Sequence, residues 1–397
     1  MCSTIFKNPV NRLVSTENQK LLDDLCLRKR LPLVDKLTVI VNDLNLSNTL
    51  IIAVQHLCWT TEILFDTLLD LKLPPKNLYV LGKCYSTNPE ILYNIRKKEI
   101  NALVESSFFN CSMPFDVDFD RNLDEMIKEI ISSNDLFSFD RIIILDDGGH
   151  LLERATLLLP KGLPIVGIEQ TSSGFNRMQG KNLSFPVINL ARSWLKLEYE
   201  SVIIISVALK KLKKMLDGID SEIRNVLIIG NGVLGQKIYE ILKDRFLVSI
   251  YDELPEKSTI AQGELKERLK EFDLIIGCTG FTSLTFDDYR YLKKPVILAS
   301  ISSSDREFDS FHFRKLNPVK NCHDHVTING ITLLNCGFPI TFDADYDSTD
   351  TVEFEITRAL LLASIYQSSI TCLSLKGFLA LDHNLQKFIL KEMNVYE

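Results

Sequence analysis

The chain has little of what marks a secreted, membrane-spanning or nucleic-acid-binding protein. Its start, Met1 to Lys7, lacks the basic stretch and continuous apolar segment of a secretory signal. The longest mostly apolar stretch, 202–209, is much too short to cross a bilayer. The formal net charge is −7, so no basic excess is available to bind nucleic acid. These absences predict a soluble, cytoplasmic protein whose partner is a small molecule rather than a membrane or a nucleic acid.

Cysteine is present, but not in a disulfide pattern. Nine cysteines in 397 residues are an odd number without framework spacing, which is typical of reduced thiols. The run Cys322-His323-Asp324-His325 is open to interpretation as a metal site. Adjacent side chains of a strand point to opposite faces, however, and no second pair lies at ligand spacing. We therefore expect no metal.

Strand and helix patterns alternate in the first part of the chain, as in a parallel sheet with covering helices. Short apolar runs predict strands over 37–41, 49–54, 78–82, 141–145 and 165–168. Helical spacing predicts helices over 60–71, ended by Pro74 and Pro75, and over 123–132. The length is enough for about two domains, each with its own core.

The most informative motif is Gly230-Asn231-Gly232-Val233-Leu234-Gly235, between a strand at 226–229 and a helical segment at 236–242. The first glycine allows the tight turn, the second lets the backbone approach a pyrophosphate, and the third lets helix and strand pack closely. Asp252, twenty residues beyond Gly232, ends the next strand and can accept both ribose hydroxyls. Glycine-rich turns also occur as plain connections, but the correctly spaced acid favours a dinucleotide, and NAD rather than NADP.

Further elements follow on both sides of this motif. A helix over 193–216 leads to the unit that begins near Arg224, which continues through strands at 274–278 and 295–301. A hairpin turned by Asn329-Gly330 follows, and its last strand is expected to end near Pro339. Helical spacing returns over 351–367.

Three groups in the first part of the chain are candidates for chemistry, each with a structural alternative. Asp146 and Asp147 follow a strand, where they could bind a hydroxyl or form a tight acidic turn. Lys196 and Glu200 share a helix face, either as a surface ion pair or as a general base beside the cofactor. His56 follows an apolar strand, as a structural histidine or a proton shuttle.

The order of motifs resembles that of the S-adenosylhomocysteine hydrolase family over roughly residues 50–360. The resemblance is carried by Ile144-Leu145-Asp146-Asp147-Gly148-Gly149, by Gly167-Ile168-Glu169-Gln170-Thr171-Ser172-Ser173-Gly174, by Pro186-Val187-Ile188-Asn189 with Lys196, by the glycine-rich loop, and by Cys278-Thr279-Gly280. In that family, NAD oxidises the 3′-hydroxyl of adenosine, which permits elimination of homocysteine. Water then adds, and the reduced cofactor restores the alcohol.

The resemblance implies a role for each matching residue. Lys196 matches the lysine that handles the hydroxyl proton, Asp147 or Asp146 the acid at the sugar, and His56 the histidine near the leaving group. Glu200 is expected to assist catalysis, and Gln170 and Cys58 to contact substrate. The residues implied in cofactor binding are Gly230, Gly232, Val233, Leu234, Gly235, Asp252, Thr171, Ser172, Ser173, Thr279, Gly280 and Ile301.

The chain also departs from the family at proton-transfer positions. Gln170 stands where the family has glutamate, Glu200 where it has aspartate, and Ser201 where it has asparagine. Ser303 and Ser348 stand where two histidines are expected, and the family's C-terminal tail has no counterpart. Glutamine and serine do not exchange protons near neutral pH as glutamate and histidine do. Three functions therefore remain open: oxidation of a secondary hydroxyl of a nucleoside or similar polyol, NAD binding without catalysis by a regulator or sensor, and retained hydrolysis.

Together, these patterns predict an α/β protein of two doubly wound domains. A Rossmann-type NAD-binding domain at 201–352 would be inserted into a discontinuous substrate-binding domain at 1–200 and 353–397. The ligand is expected in the cleft between them, since domain interfaces are common ligand sites. The resemblance also implies a homo-oligomer.

Overall fold

The computed structural model describes residues 30–104, 107–219, 222–302, 304–346 and 354–393. Within these ranges the chain forms two α/β lobes, each built around its own sheet. The positions Ser303 and Ser348, named above for their departure from the family pattern, lie outside the described residues.

The first lobe contains a seven-stranded sheet in which every neighbouring pair is parallel. Its strands are β1 (Thr49–Val54), β2 (Leu78–Leu81), β3 (Asn101–Leu103), β4 (Arg141–Asp146), β5 (Ile165–Glu169), β6 (Pro186–Asn189) and β13 (Gly377–Ala380), in the order β13-β6-β5-β4-β1-β2-β3. Strand β1 is buried on both faces, with Ile51 and Ala53 in one apolar cluster and Leu50 and Ile52 in another. Continuous apolar strands of this kind require helices on both sides of the sheet.

Eight α-helices of the described chain belong to this lobe. They are α1 (Pro32–Ile40), α2 (Trp59–Asp70), α3 (Pro89–Lys97), α4 (Phe115–Ser133), α5 (His150–Leu158), α6 (Ser172–Met178), α11 (Glu355–Ile370) and α12 (His383–Met393). Helix α11 has more buried residues than any other helix of this lobe, and Ile356 and the run 359–363 belong to the core. Helix α11, α12 and strand β13 bring the end of the described chain back to the first lobe.

The second lobe lies between these segments in sequence and has a six-stranded sheet. Its strands are β7 (Asn225–Ile229), β8 (Leu247–Tyr251), β9 (Leu274–Gly277), β10 (Val296–Ser300), β11 (Val326–Ile328) and β12 (Ile331–Leu333), in the order β11-β12-β10-β9-β7-β8. Only the edge hairpin of β11 and β12 is antiparallel, and both residues of its Asn329-Gly330 turn have positive φ. The helices are α7 (Ser201–Asp217), α8 (Val233–Leu242), α9 (Leu265–Arg268) and α10 (Ser310–Leu316).

The strand orders determine where a ligand can bind. The order reverses between β1 and β4 in the first sheet and between β7 and β9 in the second. Ligands of open α/β sheets bind outside the carboxyl ends of the strands at such a switch point. The predicted fold class, two parallel α/β units with one inserted in the other, is confirmed. The exact domain boundaries stay a prediction.

Two predicted elements are wrong. Residues 37–41 are not a strand: 37–40 are the end of helix α1, whose Pro32 is in its first turn and whose Leu33, Val34 and Leu37 are buried at helical spacing. The last strand of the second lobe ends at Leu333 rather than near Pro339, because a tight turn over Leu334–Gly337 follows it. The structure also adds elements that the patterns did not predict, among them α3, α12, β3 and β13. None of the helices in the described ranges combines the length and apolar character needed to cross a bilayer.

Candidate active site

A cavity of about 340 Å³ lies between the two lobes, where the carboxyl ends of both sheets meet. Loops that follow β1, β4 and β5 supply His56, Asp147 and Gln170 to its wall. The second lobe supplies the start of α8 and the loops after β9 and β10. The sequence-predicted residues that line it are His56, Cys58, Asp147, Gln170, Thr171, Ser172, Ser173, Lys196, Glu200, Val233, Leu234, Thr279, Gly280 and Ile301.

A hydrogen-bonded cluster centred on Asp147 forms one wall of the cavity. One oxygen of its carboxylate, Oδ1, accepts a hydrogen bond from the Lys83 ammonium, and the other, Oδ2, accepts one from the Gln170 amide. The His56 Nε2 atom lies 3.4 Å from Oδ2. Gln170 in turn accepts a hydrogen bond from Gln55 at 3.2 Å, so both ends of its amide have protein partners.

Charge and burial fix the protonation states in this cluster. Burial opposes the charged forms of Lys83 and Asp147, but their mutual attraction and hydrogen bond more than offset it. The pKa of Lys83 is therefore raised, and that of Asp147 is well below its usual value, so the pair stays ionised. Burial, assisted by the Lys83 charge, lowers the pKa of His56 to about 3 despite the attraction of Asp147. The imidazole is consequently neutral near pH 7.

The His56 ring is held on two sides. Its Nδ1 atom shares a hydrogen bond of 2.5 Å with the Ser86 hydroxyl, and its face stacks on the Phe342 ring at a centroid distance of 4.3 Å. Ser86 follows β2 and Phe342 belongs to the second lobe, so His56 contacts both sides of the cleft. This orients Nε2 toward Asp147.

Lys196 and Glu200 form an ion pair on the cavity wall rather than on the outer surface. Their side chains are only 12% and 9% exposed. The pair lies on a single π-helical turn, Lys196–Glu200, that runs directly into α7. Such turns within helices are often found at functional sites. The second oxygen of Glu200, Oε1, accepts a hydrogen bond of 2.6 Å from the Thr357 hydroxyl, which fixes the carboxylate from the other side.

Two further carboxyl groups lie behind the wall and hold its loops in place. Asp146 does not line the cavity: its Oδ2 accepts the Leu152 backbone N–H at 2.7 Å, and burial raises its pKa to about 6. Glu169 accepts both the backbone N–H and the hydroxyl of Thr171 at 2.7 Å. The sequence analysis left open whether Asp146 or Asp147 contacts the ligand. In the structure Asp147 lines the cavity, and Asp146 supports the loop from behind.

The glycine-rich loop has the geometry expected of a pyrophosphate site. Gly230 has φ of 100°, which disfavours any residue with a side chain. A Cβ atom on Gly235 would lie 1.9 Å from the Gly230 carbonyl oxygen, so helix α8 needs glycine there to pack on β7. A Cβ atom on Gly232 would meet no protein atom within 4 Å, which leaves open space in front of the loop. Gly230, Gly232 and Gly235 do not themselves line the main cavity.

Asp252 lies at the end of β8 beside this loop. Its carboxylate accepts the Asn231 backbone N–H at 2.7 Å and the Leu254 backbone N–H at 3.0 Å. These bonds aim the carboxylate at the loop and leave lone pairs for further donors, since an ionised carboxylate has about four acceptor sites. Open space at Gly232, the start of α8 and this acid together fit a dinucleotide.

A buried glutamate organises the loop after β9. Glu307 accepts hydrogen bonds from the backbone N–H groups of Thr279 and Gly280 and from the Thr279 and Ser302 hydroxyls. Burial raises its pKa, although these donors act in the opposite direction. The loop is thereby held opposite the first lobe, and a Cβ atom on Gly280 would lie 3.9 Å from the Ser173 hydroxyl.

The sequence patterns missed several residues of the site. Lys83, Tyr85 and Ser86 follow β2, and the signal that could have found them is their place directly after a buried strand next to β1. Arg358, Thr357 and Phe342 have no local signal, because only the packing of distant segments brings them to the cavity. Within the described ranges, no group of three or more His, Cys, Asp or Glu side chains is placed to hold a metal ion.

The fold and site define a two-lobed α/β protein with a Rossmann-type second lobe. No known protein-family model matches the chain. Two curated relatives do: the uncharacterized proteins MT0113 and Rv0104 of Mycobacterium tuberculosis are each 35% identical to it over 347 residues, which cover 85% of this chain and 68% of theirs. The chain belongs to the same family as these mycobacterial proteins.

Solved structures give a weaker likeness. A dipicolinate synthase chain from Bacillus halodurans matches with a TM-score of 0.41 at 11% identity, over 82% of this chain and 99% of that one. The NAD⁺-bound 3-phosphoglycerate dehydrogenase of Entamoeba histolytica matches with a TM-score of 0.37 at 10% identity, over 80% and 95%. These values are too low to transfer a function.

Proposed function

We propose that this chain binds NAD between its lobes and uses it to oxidise a secondary hydroxyl of a small polar ligand of the nucleoside or polyol class. The observation that carries the proposal is the composition of the cavity between the lobes. Val233, Leu234 and Thr279, next to the dinucleotide-type loops, line it together with Lys196 and Asp147 of the first lobe. When bound, NAD would supply a hydride acceptor at this wall.

Gly232, the backbone at the start of α8 and Asp252 would hold NAD by its pyrophosphate and ribose. Ser172 and Ser173 present hydroxyl groups at the adjoining wall, and Ile301 adds an apolar contact. Thr171 also lines this wall, but its hydroxyl donates to Glu169. The carboxylate of Asp252 favours NAD over NADP because a 2′-phosphate would be repelled.

Side chains of the cavity wall can accept the proton that the hydroxyl loses on oxidation. Lys196 is the residue placed to take the proton of the hydroxyl that is oxidised, and the carboxylate of Glu200 beside it would stabilise the resulting ammonium. Asp147 remains ionised through Lys83 and can accept a hydrogen bond from a ligand hydroxyl. His56 is neutral near pH 7, so its contribution at the same wall is a hydrogen bond rather than a positive charge.

The resemblance to S-adenosylhomocysteine hydrolase supports this redox half more strongly than the hydrolytic half. Gln170 has both ends of its amide bonded to protein and cannot act as an acid or base. The same observation favours the second candidate, an NAD-binding regulator or sensor without turnover. The predicted domain boundaries at about residues 200 and 353, and a homo-oligomeric state, are part of the proposal.

One experiment separates the candidates. NAD-loaded protein is mixed with adenosine, S-adenosylhomocysteine and a panel of other nucleosides and sugar alcohols, while absorbance of the reduced nicotinamide and release of free thiol are followed. Oxidation predicts reduced nicotinamide without thiol, hydrolysis predicts thiol, and a sensor predicts binding without either signal. Lys196→Ala should slow oxidation roughly 100-fold or more, the usual contribution of a general base. Lys213→Ala, at a side chain that is 76% exposed, is the control.

A further inference from the structure

Arg358 differs from every other buried cation in the described part of the chain. Four lysine or arginine residues are buried there, namely Lys83, Lys211, Arg314 and Arg358. The first three each have a carboxylate partner, Asp147, Asp343 and Asp305 respectively. Arg358 is 6% exposed, and no carboxylate of the described residues lies within ion-pair distance of it. Since burying an arginine without a counter-charge is costly, this arrangement calls for an explanation.

The hydrogen-bond partners of Arg358 are a hydroxyl oxygen and a cysteine sulfur. Its Nε atom donates to the Thr60 hydroxyl at 3.0 Å, and one Nη atom donates to the Cys58 sulfur at 3.3 Å. These bonds fix the orientation of the planar guanidinium. Its charge reaches the site, because Arg358 is one of the groups that lower the pKa of His56.

Arg358 and Cys58 both line the cavity between the lobes. Helix α2 begins at Trp59, directly after Cys58, whose sulfur accepts the guanidinium N–H. The positive end of its dipole therefore lies at the same place as the guanidinium. Lys196 on the cavity wall is paired with Glu200, and Lys83 behind the wall is paired with Asp147. Lys196 and Arg358 are the lysine and arginine residues that line the cavity, and of these two Arg358 has no carboxylate partner among the described residues.

We infer that Arg358, oriented by Thr60 and Cys58, binds an anionic oxygen group of the substrate. A guanidinium presents parallel N–H donors that match a carboxylate or a phosphate. The inference rests on the proposed function and narrows its substrate class: the alcohol to be oxidised also carries a carboxylate or a phosphate. An uncharged nucleoside would leave the guanidinium without an anionic partner in the cavity.

The test compares charged ligands with their neutral counterparts on the full chain. Binding of adenosine is compared with that of adenosine 5′-monophosphate, and binding of lactate with that of lactamide, by calorimetry with and without NAD. Inorganic phosphate and acetate serve as fragment probes by thermal shift, at ionic strength held constant with chloride. In at least one of the two pairs, we expect the anionic ligand to bind and its neutral counterpart not to bind. A response in the adenosine pair indicates a phosphate site, and a response in the lactate pair indicates a carboxylate site.

Substitutions of Arg358 test whether its guanidinium is the group that binds the anion. Arg358→Gln should weaken anion binding roughly 30-fold or more, as for loss of a buried hydrogen-bonded charge. Arg358→Lys should restore part of it, and Arg121→Gln, at a side chain that is 54% exposed, should change nothing. A thermal unfolding profile of each variant verifies that it folds. If Arg358→Gln does not fold, the Arg358→Lys variant and the anion series on the wild-type chain show whether the anion binds at Arg358.

Two results would overturn the inference. One is equal binding of the neutral and anionic members of every pair, and the other is unchanged anion affinity in Arg358→Gln. Either can occur while NAD is still reduced by an uncharged alcohol, in which case the proposed function survives without the anion site. Conversely, anion binding that depends on Arg358 but never leads to reduced nicotinamide would support the site and reject the oxidation.

Discussion

The Lys83 ammonium donates a hydrogen bond to the Asp147 carboxylate across the end of strand β1. Lys83 follows β2 and Asp147 follows β4, and β1 lies between those two strands in the sheet. Both side chains are only 4% exposed. The pair therefore joins the two sides of the switch point and sets the charge at the wall of the cavity.

Removal of Lys83 should destabilise the protein strongly. Lys83→Ala leaves the Asp147 carboxylate buried without its cation, a change that costs about 3–5 kcal/mol in comparable sites. The free energy of unfolding, measured by urea denaturation near pH 7, tests this. Lys213→Ala disrupts an exposed ion pair with Asp217 and should change the stability by about 1 kcal/mol or less. Equal effects of the two substitutions would contradict the assignment.

The neutral state of His56 should make the protein less stable in mild acid. The unfolded chain binds a proton at this histidine below about pH 6.5, whereas the folded chain does not until the pH approaches its lowered pKa of about 3. Protonation therefore favours unfolding, and stability falls as the pH drops through this window. His56→Gln should remove about one proton from the pH dependence of unfolding between about pH 6 and pH 4. His312→Gln, at a side chain that is 55% exposed, is the control, and an unchanged slope in His56→Gln would contradict the account.

Two glycine substitutions should separate folding from cofactor binding. Gly232→Ala places a methyl group where no protein atom lies within 4 Å, and its φ of −80° and ψ of −166° suit alanine. Stability should therefore change by less than about 1 kcal/mol, while NAD affinity falls roughly tenfold or more because the methyl group keeps the pyrophosphate away.

Gly235→Ala is the matched comparison. Its methyl group would overlap the Gly230 carbonyl oxygen, so the turn and helix α8 must shift, at a cost of about 1–3 kcal/mol in stability. Calorimetric titration with NAD and denaturation of both variants provide the measurement. If Gly232→Ala bound NAD as tightly as the wild-type chain, the open space would not be a pyrophosphate site.

The choice between NAD and NADP should depend on Asp252. Asp252→Asn removes the negative charge and keeps one oxygen, which can replace either Oδ2, the acceptor of the Asn231 N–H, or Oδ1, the acceptor of the Leu254 N–H. We expect weaker NAD binding and a smaller preference for NAD over NADP, because the repulsion of a 2′-phosphate is lost. Glu256→Gln, at an exposed residue of the same region, should leave the ratio of the two affinities unchanged. An unaltered ratio in Asp252→Asn would count against the assigned role.

Sequence patterns predicted an element correctly where the local residue pattern favours the same structure as the tertiary packing. Strand β1 and the loop from Gly230 to Gly235 are examples, since a continuous apolar run and a glycine turn have few alternative structures. The β-branched residues Val39 and Ile40 misled the interpretation of 37–41. They are 68% and 47% exposed on helix α1, and burial of Leu33, Val34 and Leu37 decided the structure instead.

The site was predictable to the extent that its residues follow strands. His56, Asp147 and Gln170 come within two residues of the ends of β1, β4 and β5, whose carboxyl ends share one edge of the sheet. Arg358 could not be found in this way. It lies within helix α11, 300 positions from Cys58, and only the return of the chain to the first lobe brings the two together. Contacts of this kind depend on tertiary packing and have no local pattern.

A crystal structure of the protein soaked with NAD tests the central claim most directly. The account predicts density for the cofactor along Gly232 and Asp252, with its nicotinamide end inside the cavity beside Thr279 and the Lys196 ammonium. A cofactor bound elsewhere, or a chain that takes up no NAD at saturating concentration, would contradict it.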